Sequence, residues 1–317
     1  MDNDVRIRLG IIGTGRIAKK FISELTSIPA FELVGVYNPN TASAMRFCEG
    51  AASLRVFKSL AELCESIDAV YIASPHPTHY EYCRFSLEEG LHVLCEKPMA
   101  VSANEVVELY DLAKERDLVL LEGIKTAFYP AFIKLEQVIK SEKIGEVVDV
   151  EASFTKLVSP DSPELSSREG AGSVFWLASY PLYAIGRLLG KNYREASFYS
   201  LRDDQGVDLF TRGLIAYEGK SASFKVGLGA KTDGCLVVTG TEGFAVVPAP
   251  WWNTSSFWLG FEDPKQIEEY CADYEGSGLR YEIAEFARLI QRDETESERL
   301  AQGDSQYIAG IMEQFLA

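Results

Sequence analysis

The stretch Leu9-Gly10-Ile11-Ile12-Gly13-Thr14-Gly15-Arg16-Ile17-Ala18 sets the pattern G-x-G-x-x-A directly after an apolar run and at the start of a helical one. The chemistry it could do is to hold a pyrophosphate. Gly13 permits a tight turn, Gly15 lets a phosphate approach the backbone, and Ala18 lets helix and strand pack closely. The amides of Thr14, Arg16 and Ile17 then face the anion at a helix N-terminus. A dinucleotide site ordinarily has an acidic residue about 20 positions later, for the adenosine ribose. Here that place reads Val36-Tyr37-Asn38-Pro39-Asn40. Asn38 can hydrogen-bond a 2′-hydroxyl but carries no charge to repel a 2′-phosphate, so NAD and NADP both stay open.

A second set of residues could move a proton. Gly90-Leu91-His92-Val93-Leu94-Cys95-Glu96-Lys97-Pro98 ends a buried strand on an ammonium held by proline. At the carboxyl end of a parallel strand, Lys97 sits where ligands of such sheets bind, and it can assist proton transfer. Metal chemistry has no such support. The six cysteines (Cys48, Cys64, Cys83, Cys95, Cys235, Cys271) stand singly without C-x-x-C, and there are only three histidines. Neither a zinc site nor a disulfide framework is indicated, and all six are expected to be buried thiols.

These residues need a scaffold that puts strand ends together. Apolar runs at 7–12, 31–37, 69–73, 92–95 and 118–121 alternate with helical spacing at 16–27, 41–49, 59–66, 78–89 and 102–116. Short fully apolar strands between amphipathic helices predict a parallel sheet covered on both faces, a doubly wound α/β domain. After about residue 122 the texture changes. A helix is expected over 130–141, and longer alternating runs follow at 146–157, 194–202, 207–217, 221–229, 234–239 and 243–247. Period-two alternation predicts sheets with one wet face, usually antiparallel. One helix is expected at 172–189 and two more at 279–292 and 296–316. The domains predicted are therefore 1–122 and 123–317, with the last helix packing back on the first.

Length and charge bound the function classes. The 317 residues favour two domains, and 31 Lys+Arg against 47 Asp+Glu give a net charge of −16. That sign argues against a nucleic-acid or membrane-surface protein. No run approaches the ~18 apolar residues of a spanning helix, and the start MDNDVRIRLG lacks the regions of a signal peptide, so a cytoplasmic location is expected.

The glycine turn, Ala73-Ser74-Pro75-His76-Pro77-Thr78-His79 and the Glu96-Lys97-Pro98 triplet together resemble the Gfo/Idh/MocA family, named for glucose–fructose oxidoreductase and inositol dehydrogenase. The resemblance continues through Leu121-Glu122, Tyr129-Pro130 and Ile144-Gly145-Glu146-Val147. Gly240-Thr241-Glu242-Gly243-Phe244 and Val247-Pro248-Ala249-Pro250-Trp251-Trp252 look like the branch of dihydrodiol and xylose dehydrogenases. It implies an N-terminal Rossmann domain and a C-terminal α+β domain with an open, mostly antiparallel sheet. Substrate would bind in the cleft between them, and the sheet's outer face would make a homodimer or homotetramer. It implies hydride transfer between NAD or NADP and a carbinol or carbonyl carbon of a sugar, polyol or diol. Ser74, Pro75, His76, His79 and Glu96 are thereby cofactor-side residues, and Lys97 is also the family's catalytic lysine. Either His76 or His79 is placed to face the nicotinamide; alternatively His79 caps or packs on the helix beginning near Thr78. Lys125 takes a position where relatives have a substrate-facing polar residue.

The resemblance breaks at one point. Relatives usually carry Asp-x-Gly-x-His or Asp-x-Gly-x-Tyr on the helix after a glycine-rich run, and here Trp176, Ala178 and Tyr180 stand at those places. The i, i+4 spacing puts Trp176 and Tyr180 on one helical face. The proton-donor position is kept as a phenol, which a nearby cation such as Lys97 can activate. The carboxylate is gone, and the Trp176 indole offers a platform for substrate instead. Two expectations follow: an NAD(P)-dependent dehydrogenase or reductase with Tyr180 and Lys97 as its catalytic pair, or a dinucleotide-binding sensor or partner-binding protein that has lost redox chemistry.

Overall fold

The computed structural model describes residues 6–49, 54–166 and 170–317. Residues 1–5, part of the start MDNDVRIRLG, lie outside them. Two compact units emerge. The first holds residues up to Ala100, Asn104–Lys125 and Gly276–Gln302, and the second holds Val101–Ala103, Thr126–Glu275 and Gly303–Ala317.

In the first unit the chain alternates β1 (Ile7–Ile12), α1 (Arg16–Leu25), β2 (Phe31–Tyr37), α2 (Thr41–Phe47), β3 (Arg55–Phe57), α3 (Leu60–Cys64), β4 (Ala69–Ile72), α4 (His79–Glu88), β5 (His92–Glu96), α5 (Ala103–Glu115) and β6 (Leu120–Gly123). The six strands are all parallel in the order β3-β2-β1-β4-β5-β6, the doubly wound arrangement. Order reverses between β1 and β4, so the loops leaving those two strands open the crevice where such sheets bind ligands. The apolar strand runs are explained by burial on both faces: Leu9, Ile11, Val70, Ile72, Val93 and Leu94 have no measurable exposure. The three-residue β3 was not expected, being too short to show a period.

The second unit is built on an eight-stranded sheet. After α6 (Pro130–Lys140) come β7 (Val147–Thr155), α7 (Ser173–Leu177), α8 (Ser179–Leu189), β8 (Glu195–Arg202), β9 (Asp208–Ala216), β10 (Ser221–Gly227), β11 (Leu236–Gly240), β12 (Phe244–Val247), β13 (Ser256–Gly260) and β14 (Ile267–Cys271). The order is β14-β13-β12-β11-β7-β10-β9-β8, antiparallel except for the central β7–β10 pair. Alternation along β9 shows one wet face: Arg212, Leu214 and Ala216 are exposed while Thr211, Gly213 and Ile215 are buried. Two helices close the chain, α9 (Leu279–Gln291) in the first unit and α10 (Gln302–Leu316) in the second.

Three expectations need correction. The single helix over 172–189 is two, α7 and α8, meeting at Ala178. Pro181 is the cause, because it has no N–H for the Leu177 carbonyl and is accommodated only in the first turn of a new helix. Trp176 and Tyr180 therefore lie on different helices instead of one continuous face. The cysteines are not uniformly buried either: Cys271 is exposed on β14, and Cys48 and Cys235 are half-buried. The strands β13 and β14 were not expected, and α10 begins at Gln302 instead of 296.

Candidate functional site

The glycine turn has the geometry its pattern demands. Gly13 sits at φ +100°, and a Cβ there would lie 2.4 Å from the Ala73 carbonyl oxygen, so the loops after β1 and β4 touch through a residue only glycine can supply. Gly15 is the opposite case: a Cβ would meet nothing within 4 Å. That open space lies at the N-terminus of α1, which no side chain caps, leaving the helix amides for an anion. Ala18 is fully buried between helix and sheet. These residues fit a dinucleotide pyrophosphate.

Asn38 stands just past the end of β2. Its Nδ2 donates to Thr14 Oγ1 at 2.7 Å, its Oδ1 accepts the Asn40 amide at 2.8 Å, and Thr14 Oγ1 lies 3.0 Å from Ser43 Oγ. The loop after β2 is thereby tied to the glycine turn by neutral groups.

Beyond β4 and β5 a second group converges. His79 is fully buried, with Nδ1 2.8 Å from the Pro98 carbonyl and Nε2 2.9 Å from the Ser74 carbonyl. Both ring nitrogens face backbone carbonyls, and the neutral ring donates to one of them, so His79 packs between the Ser74-Pro75 loop and the Lys97-Pro98 turn. Burial lowers its pKa. His76, half-buried in the 3-10 turn His76–Thr78, lies 5.5 Å ring to ring from it. Thr78 Oγ1 donates to Ser74 Oγ at 2.8 Å.

Lys97 is only 8% exposed, and Glu96, at the last position of β5, 9%. Tyr71 donates to Glu96 Oε1 at 2.7 Å, and the Met99 amide donates to Glu122 Oε1 at 3.0 Å, which fixes the turn past Pro98. Burial raises the Glu96 pKa, with the Lys97 and Lys125 charges opposing it. Lys125, beginning the turn after β6, has its Nζ 3.4 Å from the Ser277 carbonyl, and burial, then the Lys20 charge, pull it down to about 8.

Within the second unit Tyr180 rises from the first turn of α8 and its ring lies 5.4 Å from that of Phe154 on β7. Phe154 stacks on Trp252 at 3.6 Å and 12°. The stacked pair lines a cavity of about 570 Å³ together with Thr155, Lys156, Leu157 and Lys231. Trp176 sits on α7, its amide bonded to the Gly172 carbonyl at 3.3 Å. The Phe154–Trp252 stack was not singled out from the sequence: Phe154 lies in an alternating strand run, Trp252 was noted only as part of a motif, and the fold alone brings them face to face.

Comparison with known proteins agrees with this geometry. Residues 7–124 match an oxidoreductase family with an NAD-binding Rossmann fold, and residues 132–246 match the GFO/IDH/MocA C-terminal domain. The chain is 28% identical to a trans-1,2-dihydrobenzene-1,2-diol dehydrogenase of Sus scrofa, covering 97% of this chain and 95% of that one. It is 30% identical to the scyllo-inositol 2-dehydrogenase (NADP(+)) IolU of Bacillus subtilis, with the same coverage of each. Among solved structures, KijD10, a 3-ketoreductase from Actinomadura kijaniata in complex with NADP and TDP-benzene, superposes with a TM-score of 0.85 at 24% identity, over 97% of this chain and 96% of that one. The glycine turn, the Glu-Lys-Pro strand end and the two matched domains thus have one explanation, that the chain belongs to the Gfo/Idh/MocA family of NAD(P)-binding oxidoreductases.

Proposed function

We propose that the chain transfers a hydride between NAD(P) and a carbinol or carbonyl carbon of a sugar, polyol or diol, with Lys97 and Tyr180 exchanging the proton of the reacting oxygen. The observation that carries this is the setting of Lys97: an ammonium nine-tenths buried at the end of β5, held between Glu96 and Pro98, on the same loop cluster as the pyrophosphate turn. The nicotinamide, when bound, accepts or supplies the hydride. Lys97 orients the substrate hydroxyl and favours the ionised form of the oxygen that loses its proton. Tyr180 gives or takes that proton as a phenol. Trp176 and Lys125 are substrate-side residues in this scheme.

The Phe154–Trp252 stack beside Tyr180 supports a ring-shaped substrate, since a flat apolar wall rewards a ring's face over an open chain. The diol and inositol substrates named for the two relatives are both six-membered rings with vicinal hydroxyls. Screening cyclic and open-chain vicinal diols for NAD(P)H formation tests this. Turnover with higher kcat/KM on the cyclic members is expected, and no turnover on any alcohol or its ketone overturns it.

The second unit is proposed as the substrate-binding and self-association domain. Tyr199, Leu201 and Leu214, exposed by 70%, 52% and 50%, project from one face of β8 and β9. A homodimer or homotetramer through that face would cover them. A cytoplasmic location is supported by six free thiols and by the lack, among the described residues, of a helix long and apolar enough to cross a membrane.

A further inference from the structure

The cavity beside the stacked aromatic pair carries a charge that the chemistry above does not use. Of the six residues lining its volume of about 570 Å³, two are lysines and none is acidic, in a chain with 47 Asp+Glu against 31 Lys+Arg. Lys156 has its charge offset. Its Nζ lies 3.4 Å from Glu164 Oε1, and that carboxylate is buried and also accepts from the Ser162 hydroxyl. Lys231 differs. Its Nζ donates to the Thr155 carbonyl at 2.9 Å and pairs with no carboxylate among the described residues. Asp233, two positions on, is engaged by Ser153 Oγ at 2.6 Å. The backbone next to Lys231 is held as well, because the Thr232 amide donates to Thr155 Oγ1 at 2.8 Å and the Gly234 amide to Ser153 Oγ at 3.1 Å. A Cβ on Gly234 would stand 3.7 Å from the Trp252 ring, so the loop that carries the ammonium also touches the aromatic wall.

A surface lysine ordinarily loses side-chain entropy when it meets an anion, and such pairs are weak for that reason. Lys231 is already fixed at both ends. The Thr155 carbonyl takes one of its three N–H donors and leaves the others to a ligand oxygen. We propose that this cavity is an anion subsite for the substrate: a ring lies against Phe154 and Trp252, and Lys231 binds a carboxylate or phosphate carried on that ring. The proposal rests on the reading of the stacked pair as the substrate's wall. It narrows the substrate class from sugars, polyols and diols at large to their anionic members, the sugar acids and sugar phosphates. An acidic protein repels such a molecule over most of its surface, so a cationic cavity free of carboxylates sets where it docks. Phe154 is also the ring neighbour of Tyr180 at 5.4 Å, which puts the anchored ring beside the proposed proton donor.

The test titrates the full-length protein, loaded with NADP+ or NAD+, with glucose, glucuronate and glucose 6-phosphate. These share one pyranose ring and carry a hydroxyl, a carboxylate or a phosphate at its outer carbon. Binding is read by saturation-transfer NMR and turnover by NAD(P)H absorbance. The wild type should bind at least one of the anions about fivefold more tightly than glucose, with the gap closing in about 0.5 M salt. Which anion gains more tells carboxylate from phosphate as the group preferred. Lys231→Met should bind all three alike, Lys231→Arg should keep the preference, and Trp252→Ala should weaken all three, with each variant's melting temperature compared with the wild type. Glucose bound as tightly as both anions, a preference that survives in Lys231→Met, or no binding of any of the three overturns the subsite. If an anion binds through Lys231 but neither it nor a cyclic diol is oxidised, the hydride reading has failed and the subsite stands; if a cyclic diol is oxidised while charge makes no difference, only the subsite has failed.

Discussion

The Tyr71 phenol donates a 2.7 Å hydrogen bond to the carboxylate of Glu96, the residue immediately before Lys97. Tyr71 is fully buried and its ring stacks on Phe21 at 3.7 Å, so the bond is made from a rigid donor. Replacing it by phenylalanine keeps the stack and removes only the hydroxyl. Tyr71→Phe should cost about 1.5–3 kcal/mol in urea unfolding, the range for a bond to a charged group, and lower kcat/KM about tenfold by loosening the support of Lys97. A variant matching the wild type in both would show that Glu96 needs no such anchor.

The two glycines of the pyrophosphate turn should separate folding from binding. Gly13→Ala combines a positive φ with a collision against the Ala73 carbonyl and should destabilise the first unit by about 2–4 kcal/mol. Gly15→Ala meets nothing in the protein and should melt as the wild type does, while its methyl occupies the phosphate's space and weakens dinucleotide binding at least about tenfold. Calorimetry of melting and of cofactor binding checks both.

Asn38 offers a lever on cofactor choice. Asn38→Asp keeps a hydrogen-bond link to Thr14, now accepting from its hydroxyl, and places a negative charge beside the adenosine ribose. NADP should lose about 10–100-fold in affinity, while NAD is little changed. Equal losses for the two cofactors would mean that residue 38 does not face the 2′ position.

Lys125 makes a pH-dependent prediction. In the unfolded chain a lysine titrates near about 10.4, and burial brings the folded value to about 8. Below about 8 both states carry the proton and the folded state bears the full cost of a buried ammonium. From about 8 to about 10.4 the unfolded chain holds more protons, so stability rises with pH across that window. Lys125→Met should therefore be more stable than the wild type by about 2 kcal/mol at pH 7, with the advantage shrinking by pH 10. Urea unfolding at both pH values decides it, and a constant difference would contradict the buried-amine account.

Much of the scaffold was legible in the sequence because it rests on local rules. The strands of the first sheet other than β3 carry runs of buried apolar residues, and Gly13, Gly15 and Ala18 carry their geometry in their own small side chains. Asn38 and Lys97 could be placed because each stands at the end of such a strand. What was missed depends on contacts between distant segments. Tyr71 and Glu96 come from β4 and β5, Lys125 and Ser277 from the turn after β6 and the segment before α9, and no spacing announces that they meet. Phe154 and Trp252 are likewise 98 positions apart in number yet stacked. The split of the helix at Ala178 is an instructive failure, since Pro181 was in plain view. Its apolar neighbours continue the helical period, and only the missing N–H forces the break.

The central claim is that Lys97 and Tyr180 act as one proton-exchanging pair, and a double-mutant cycle on kcat tests it most directly. Lys97→Met and Tyr180→Phe, singly and together, would be assayed on a cyclic diol, with dinucleotide affinity measured alongside. Each single variant should lose at least about 100-fold in kcat with cofactor affinity within about threefold of wild type, and the double variant should be little worse than either single one. Near-wild-type turnover in either single variant, or losses that simply multiply in the double one, would contradict the account.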